Sequence, residues 1–325
     1  MSVFIIRRLL QAALIVFIMS LIVFFGVNVI GDPVYMLVSP DADQADIEKA
    51  IERLGLNLPI YEQYFKFLNG AWQGDLGDSF VFGEPALKLI LHHMPATFEL
   101  AFTALAMAIV IGIPLGLYSG LYPEQKISKG IMAGSILGFS LPTFWVGLML
   151  IMLFAVMLGW LPSTGRGDTA KLFGLQTSLF TLDGLSHVIL PALNLALLKI
   201  SLAIRLTRSG VREAMGQDYV KFARAKGLNT SRIILVHVMK NIMIPVVTVM
   251  GLEFGSLVAF SVVTESIFAW PGMGKLLIDA ILQLDRPIVV AYLMIIVLFF
   301  VVINLIVDII YSILDPRVRL QDQGA

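Results

Sequence analysis

The side chains that could do chemistry in this chain are few and widely separated. The sequence has no cysteine, which excludes disulfides and thiolate metal sites. The zinc motif HExxH, the nucleophile motif GxSxG and a carboxylate pair at useful spacing are all absent from it. Its histidines fall in three separate segments, at His92, His93, His187 and His237. We therefore predict that the chain is not an enzyme and that it holds no metal or other cofactor of its own.

A glycine-rich segment, Pro271-Gly272-Met273-Gly274-Lys275, has some likeness to a phosphate-binding loop. It lacks the GxxxxGK[ST] spacing and the hydroxyl that would hold Mg²⁺. The alternative is a re-entrant turn followed by a short helix over residues 275–284, and the sequence favours this alternative. ATP is therefore not expected to be hydrolysed by this chain.

Two charged side chains, Lys199 and Glu253, lie inside strongly apolar segments. A charge in lipid is costly, so such residues are functional hypotheses by default. Two interpretations stay open at this point. The residues form an intramembrane ion pair that neutralises both charges, or they line a polar pathway.

A basic segment over residues 205–245 interrupts the apolar sequence and is the most specific signal in the chain. It holds eight of the 23 Lys and Arg residues against two acids, Glu213 and Asp218. Its basic residues are Arg205, Arg208, Arg212, Lys221, Arg224, Lys226, Arg232 and Lys240. A basic helix beside a membrane can rest on anionic lipid, which requires only the positive charges.

Small residues inside the basic segment favour a second interpretation, a docking surface for a partner protein. Ala223, Ala225 and Gly227 allow close contact with another surface. Helical spacing places Tyr219, Phe222, Ala223 and Lys226 along one side of a short helix that ends at Gly227. Ser231 is predicted to cap a second helix that leads to Pro245.

Composition places these residues in an all-α polytopic membrane protein. Of the 325 residues, 58% are hydrophobic and 14% charged, and the mean hydropathy is +0.88. Soluble domains carry roughly a quarter charged residues. The first apolar run, residues 9–30, is about twice the length of a signal-peptide core, so we read it as a retained helix. The pattern predicts six spans, at residues 9–30, 97–117, 131–158, 188–204, 246–269 and 288–314.

The spans divide the chain into four parts. Residues 1–30 are an inner end and the first helix, and 31–94 form an external segment with an aromatic interfacial helix. Residues 95–314 form a five-helix core with an inner loop at 210–244, and 315–325 form a tail. Of the Lys and Arg residues, 14 fall on the inner side, while eight fall outside, four of them in the long external segment. The positive-inside rule therefore predicts that both termini are cytoplasmic.

The ordered motifs of the loops resemble those of ABC importer permeases of the dipeptide, oligopeptide and nickel class. In particular, the chain is similar to the first of the two permease subunits of dipeptide-type systems. The broader importer pattern opens its inner loop with Glu-Ala-Ala, whereas Lys221 takes the acidic position here. The resemblance covers nearly the whole chain and rests on Gly31-Asp32-Pro33, Gly74-Asp75-Leu76-Gly77-Asp78-Ser79, Pro95-Ala96-Thr97-Phe98-Glu99-Leu100, Asp218-Tyr219-Val220, Ala223-Arg224-Ala225-Lys226-Gly227-Leu228, Trp270-Pro271-Gly272-Met273-Gly274 and Asp315-Pro316-Arg317.

The resemblance implies a type I importer fold and a bacterial inner-membrane location. It implies partners besides lipid and no nucleic acid: a second permease, two ATPase subunits that bind ATP and Mg²⁺, and an external solute-binding protein. ATP-driven closure of the ATPases would press on the coupling helix at 219–228. The coupling residues that follow from the resemblance are Tyr219, Ala223, Arg224, Ala225, Lys226, Gly227 and Leu228.

The substrate implied by the resemblance is a dipeptide or oligopeptide, with nickel, glutathione or an opine-type solute as alternatives. A secondary transporter is the rival outside this class. Such a transporter is expected to show inverted repeats with broken helices in matching positions. The sequence has no convincing internal repeat.

Overall fold

The computed structural model describes residues 2–28, 43–54, 57–172 and 174–314. The Gly31-Asp32-Pro33 and Asp315-Pro316-Arg317 motifs, the start of the predicted external segment and the predicted tail lie outside the described residues. The described chain is almost entirely helical.

Eleven helices and one small hairpin are described. They are α1 (Ser2–Asn28), α2 (Gln44–Leu54), α3 (Ile60–Trp72), α4 (Ala86–Leu121), α5 (Lys126–Ser140), α6 (Thr143–Leu150, extended by a π-helical turn at Ile151–Met157), β1 (Ala170–Leu172), β2 (Leu175–Thr177), α7 (Leu182–Gly216), α8 (Asp218–Ala225), α9 (Thr230–Ile267), α10 (Met273–Leu282) and α11 (Arg286–Leu314). The antiparallel hairpin pairs Ala170 with Thr177.

Five of these helices are long and apolar enough to cross a membrane: α1, α4, α7, α9 and α11. The remaining predicted span, at residues 131–158, is the pair α5 and α6, which are bent by 110° at Leu141 and Pro142. Proline removes a backbone donor and disfavours helix at the residue before it, which explains the break. The described residues therefore provide five spans, or six where the bent pair counts as one.

The described chain separates into two compact units. The first comprises the residues up to Ala96 together with Pro271–Leu305. Within it, Tyr64 of α3 is buried against α1, where its hydroxyl lies 2.8 Å from Oγ of Ser20 and its ring 5.3 Å from that of Phe24. Other aromatic side chains of α3 are exposed, with Phe65 at 66% and Trp72 at 91%.

The second unit comprises Thr97–Trp270 together with the described residues from Ile306 onward. Its centre is the packing of α7 against α4, α5 and α9. Gly112, Gly116 and Gly120 of α4 all face α7, as their four-residue spacing suggests. A Cβ at Gly116 would lie 2.7 Å from the carbonyl oxygen of Ile204 and 2.7 Å from Cβ of Thr207. The two helix backbones approach closely because these positions carry no side chain.

Candidate functional site

Helix α8, the short helix of the basic segment, is amphipathic. It follows Gln217, whose extended backbone separates it from the end of α7. Its buried side chains are Val220 and Ala223, which lie three residues apart and so share one face. An ion pair on its first turn joins Lys221 to Asp218 at 2.9 Å, and both side chains are solvent-exposed. Such an exposed pair adds little stability, so packing of the apolar face holds the helix.

The end of α8 is fixed by a Schellman motif centred on Gly227. The Gly227 amide donates to the carbonyl of Arg224 at 2.9 Å, and the Leu228 amide donates to that of Ala223 at 3.2 Å. Gly227 has φ +75°, a left-handed conformation that costs other residues energy because of Cβ. Apart from Gly227 itself and its two chain neighbours, no described atom lies within 4 Å of the place a Cβ would occupy. The requirement for glycine here is therefore conformational, and steric crowding by the described residues does not contribute to it.

The buried face of α8 belongs to a cluster built from the ends of two long helices. Leu228, just after the helix, packs on the edge of this cluster. The cluster contains Val211 and Ala214 of α7, Val220 and Ala223 of α8, and Ile233, Val238 and Ile242 of α9. A force on α8 therefore reaches both α7 and α9 through direct apolar contact.

The outer face of α8 is aromatic and basic. Phe222 is 62% exposed, and Nζ of Lys226 lies 4.5 Å from the centre of its ring. Tyr219, Arg224 and Ala225 are also exposed. A large exposed aromatic ring beside a cation is typical of a contact surface for another protein.

The predicted coupling residues fall into three groups: an exposed set, one buried residue and the residues at the end of the helix. Tyr219, Arg224, Ala225 and Lys226 are accessible to a partner, whereas Ala223 is only 6% exposed and packs inside the chain's own cluster. Gly227 and Leu228 form the helix end.

Phe222 is an exposed aromatic residue of α8 that the predicted coupling set does not contain. Helical spacing places it on the same side as Tyr219, and the structure shows it exposed beside Lys226. A bulky aromatic residue on a basic helix was the available signal in the sequence.

Helix α9 begins at Thr230, and its cap differs from the prediction. Oδ1 of Asn229 accepts a hydrogen bond from the backbone amide of Ser231 at 3.1 Å. The predicted cap, Ser231, is wrong because Ser231 already lies in the first turn. The helix then passes through a π-helical turn at Ile233–Val238 and includes Pro245 in its interior. One continuous helix thus joins the α8 cluster to the predicted fifth span.

Lys199 and Glu253 meet in the structure. Nζ of Lys199 donates to Oε2 of Glu253 and to Oγ of Ser256, the latter at 2.8 Å, while Ser256 lies 2.7 Å from the same carboxylate oxygen. The two charged side chains are 18% and 26% exposed. The pair joins α7 to α9 well away from α8, so the two sets of predicted site residues are separate.

A buried set of hydrogen bonds in the second unit, which we call the Glu99–Arg166 tie, was not predicted from the sequence. Glu99 of α4 is buried, and its carboxylate accepts hydrogen bonds from Nη2 of Arg166 and from the Ser178 amide, the latter at 3.0 Å. Arg166 also donates to the carbonyl of Gln176 at 2.8 Å. An acid at the start of an apolar helix was the only signal in the sequence. This signal did not indicate that Glu99 would pair with Arg166, which lies 67 residues away in the sequence.

A second missed feature lies in the first unit. The carboxylate of Asp285 is fully buried and accepts hydrogen bonds from Oγ of Ser79 at 2.5 Å and from the amide of Phe80 at 3.1 Å. Ser79 ends the Gly74–Ser79 motif, so this contact gives that motif a structural role. The motif positions the turn that follows it.

Metal coordination finds no support in the described parts of the chain. Among those residues, no group of three or more His, Asp or Glu side chains is close enough to hold an ion.

Comparison with known proteins gives matches along the chain. Residues 112–320 match the family of binding-protein-dependent transport system inner membrane components, and residues 1–101 match the N-terminal region of such membrane components. The fold is similar to that of the inward-facing MetNI methionine ABC transporter, with a TM-score of 0.52 and 17% identity. That similarity covers 70% of this chain and 96% of the other.

Three relatives match nearly end to end. The oligopeptide transport system permease protein AppB of Bacillus subtilis is 41% identical, covering 98% of this chain and 100% of AppB. The di/tripeptide transport system permease protein DppB of Pseudomonas aeruginosa is 38% identical, covering 92% and 95%. The glutathione transport system permease protein GsiC of Escherichia coli K12 is 35% identical, covering 97% and 98%. The chain therefore belongs to the family of binding-protein-dependent transport system inner membrane components, as a permease subunit of an ABC importer.

Proposed function

We propose that this permease forms one half of an inward pathway for dipeptides or oligopeptides and that it receives force from its ATPase partners through α8. The chain itself is not an enzyme, because in this family ATP hydrolysis belongs to separate subunits. ATP and Mg²⁺ are accordingly assigned to those subunits, and no cofactor is assigned to this chain.

The observation that carries the proposal is the shared cluster beneath α8. Val220 and Ala223 of α8 are packed with side chains from the ends of both α7 and α9. Protein interiors are close-packed and transmit displacement instead of absorbing it. A push on α8 would therefore move two long helices together.

The outer face of α8 supplies the contact in this proposal. Phe222 and Tyr219 would enter an apolar groove on an ATPase subunit, while Arg224 and Lys226 would meet acidic residues at its rim. Ala223 acts differently, because its burial fixes the orientation of α8. Gly227 and Leu228 hold the end of the helix, so the contact face is presented at a constant angle.

The ion pair of Lys199 and Glu253 has a supporting role in the proposal. It joins α7 to α9, the same two helices that hold α8. We assign it the role of keeping these helices together as one rigid lever during alternating access. The competing role, lining of the substrate pathway, predicts that its loss changes substrate affinity and leaves assembly intact.

The partners in the proposal are a second, homologous permease, two ATPase subunits and an external solute-binding protein, with lipid around the helices. ATPase and substrate-binding partners are implied by the family. We add the second permease because this chain would offer α8 to one ATPase, and the other ATPase would need a coupling helix of its own. No nucleic acid is involved.

The proposed orientation places both termini and α8 in the cytoplasm of a bacterial cell. It rests on the excess of Lys and Arg in the segments that would then lie inside. Because the chain has no cysteine, single introduced cysteines report accessibility without background. Ser231→Cys is expected to react only in inverted vesicles and Lys171→Cys only in intact spheroplasts, and the reverse pattern would overturn this orientation.

The proposed substrate class is peptide-like. Relatives named for oligopeptides, di/tripeptides and glutathione, itself a tripeptide, all match nearly the full chain. Nickel and opine-type solutes are the remaining alternatives within the class. The ligand that copurifies with the partner binding protein, identified by mass spectrometry, tests the assignment, and bound Ni²⁺ would contradict it.

The experiment for the whole proposal is uptake by the reconstituted complex. The full chain is purified with its copurifying subunits, placed in proteoliposomes and supplied with binding protein and labelled peptide. Uptake is expected to require internal ATP and to persist when an uncoupler removes the proton gradient. Uptake that needs the gradient and ignores ATP would establish a secondary transporter instead.

A further inference from the structure

An open basic cavity lies beside the end of α7, apart from the α8 contact face. Its volume is about 570 Å³, and its lining includes three arginines of α7. The other lining residues are Met132 of α5, Ser209 and Glu213. The arginines Arg205, Arg208 and Arg212 are spaced three and four residues apart, so they share one face of the helix.

The positive charges in this cavity are only partly compensated within the described chain. The lining contains three arginines and one acid, Glu213, and none of these arginines forms an ion pair with any described residue. The Nε of Arg208 is buried and has no hydrogen-bond acceptor among the described residues. A buried donor without a partner is destabilising, which favours an acceptor that binds from outside the chain.

The cavity is also held in shape. Helices α5 and α7 are tied by a hydrogen bond from Oγ of Ser135 to the carbonyl of Ser201 at 3.3 Å. Arg205 is oriented by Phe139 of α5, whose ring centre lies 4.6 Å from Cζ of the guanidinium. Two packed helices thus form the walls, so little ordering would be required on binding.

From this arrangement we propose that the cavity is a phosphate-binding site. Guanidinium groups suit this ligand because their planar donors form paired, charge-assisted hydrogen bonds with phosphate oxygens. Three arginines that line one cavity can together satisfy several oxygens of one tetrahedral group. Glu213 reduces the excess charge, and this favours a singly charged phosphodiester over a doubly charged free phosphate.

The surroundings point to a lipid as the source of that phosphate. Arg205 follows the apolar part of α7 directly, so the cavity lies where a membrane-spanning helix becomes polar. On α5, Ile136 and Phe139 continue the face of Met132 and are 59% and 56% exposed. A basic cavity next to an exposed apolar stripe fits an anionic headgroup and its acyl chain together.

Native mass spectrometry of the full chain, purified with its copurifying subunits, tests the site. The probe is phosphatidylglycerol, with phosphatidylethanolamine as the lipid control. Arg208→Gln and Arg212→Gln are each expected to lower the retained phosphatidylglycerol about fivefold, the effect of one cation near an anionic surface. Arg232→Gln removes an exposed arginine of the same basic segment outside the cavity and is expected to change nothing.

Further measurements distinguish a lipid from free phosphate as the occupant of the cavity. Retention of phosphatidylglycerol in millimolar inorganic phosphate would identify the lipid as the occupant, whereas displacement would identify free phosphate. Arg208→Lys keeps the charge but lacks an Nε donor, so it is expected to lose most of the binding. Equal retention in all variants would overturn the proposal. Loss of the second permease from the complex in Arg212→Gln would also overturn it, because the cavity would then be a protein interface.

Discussion

Lys199 and Glu253 form an ion pair between α7 and α9, and Ser256 lies within hydrogen-bond distance of both charged groups. Each charge has its neutralising partner on the neighbouring helix. Both side chains are mostly buried in apolar helices, so either charge alone would be left uncompensated. The pair therefore couples the packing of α7 to that of α9.

Removal of one charge is expected to harm the protein more than removal of both. Lys199→Met or Glu253→Gln alone should destabilise the chain by about 2 kcal/mol, because a charged group loses its partner. The double substitution should recover most of the loss, as judged by insertion level and thermal melting in detergent. Equal defects in all three variants would argue against a stabilising pair. Unchanged melting with a higher KM for uptake would favour the pathway role.

Gly227 is expected to be sensitive to substitution because of its backbone conformation. Gly227→Val should abolish uptake while membrane insertion stays normal, since a β-branched residue is strongly disfavoured at φ +75°. Gly227→Asn should retain part of the activity, because asparagine tolerates this region best among the alternatives.

Gly130→Ala is the matched control for Gly227. Gly130 lies inside α5 and has no positive φ. Apart from the adjacent backbone of its own helix, no described atom lies within 4 Å of the position that a Cβ would take. Alanine is the better helix former, so this variant should keep full uptake and stability. Normal uptake by Gly227→Val would contradict the proposed role of the helix end in coupling.

Local sequence patterns predicted much of this fold. Apolar run lengths indicated the long spans. The four-residue glycine spacing of α4 is typical of close helix packing, but only the structure identifies α7 as the neighbour. The sequence did not determine which side of α8 faces the rest of the chain. Ala223 and Phe222 both fit the apolar side of a helical wheel, and only the neighbouring ends of α7 and α9 decide that Ala223 is buried and Phe222 exposed.

Contacts between residues far apart in the sequence could not be predicted from the sequence. Glu99 and Arg166 are 67 residues apart, and Ser79 and Asp285 are 206 apart. Glu99 is unusual because it lies in an apolar stretch, whereas Asp285 lies in a polar turn, and nothing local identifies the partner of either acid.

The cap at Asn229 was missed for a different reason. Asn229, Thr230 and Ser231 are all polar and all able to accept a hydrogen bond from a backbone amide. The backbone geometry at the first turn selects among them, and Asn229 is the residue with the extended conformation that a cap requires.

Phe222 offers a direct test of the contact face on α8. Phe222→Ala should lower ATP-driven uptake at least tenfold, since a central aromatic side chain at an interface contributes about 2 kcal/mol or more to binding. The thermal stability of the isolated chain should hardly change, because this ring is exposed. Copurification of the ATPase subunits should weaken in parallel. Ile127→Ala, which truncates an exposed apolar residue of α5, is the control and should leave uptake intact.

Gly116 is expected to tolerate no side chain. Gly116→Ala would bring a Cβ within 2.7 Å of the Ile204 backbone oxygen, so α4 and α7 must move apart. Overpacking of this kind costs about 1–3 kcal/mol. Gly134→Ala should have no such effect, because no described atom outside the adjacent backbone of its own helix lies within 4 Å of the new Cβ. Comparison of the two melting temperatures checks the prediction, and similar values would contradict the close approach.

The ion pair of Glu99 and Arg166 leads to a prediction about the cost of leaving a buried carboxylate without its cation. Arg166→Met should leave the Glu99 carboxylate buried with only the Ser178 donors, at a cost of about 2 kcal/mol. Glu99→Gln together with Arg166→Met removes both charges, so it should restore much of the stability. Lys171→Met is the control, because it removes an exposed cation of the nearby hairpin that forms no ion pair with the described residues. Proteolytic sensitivity of the segment between α6 and α7 provides the local measurement. If Arg166→Met is cleaved no faster than Lys171→Met, the tie does not order this segment.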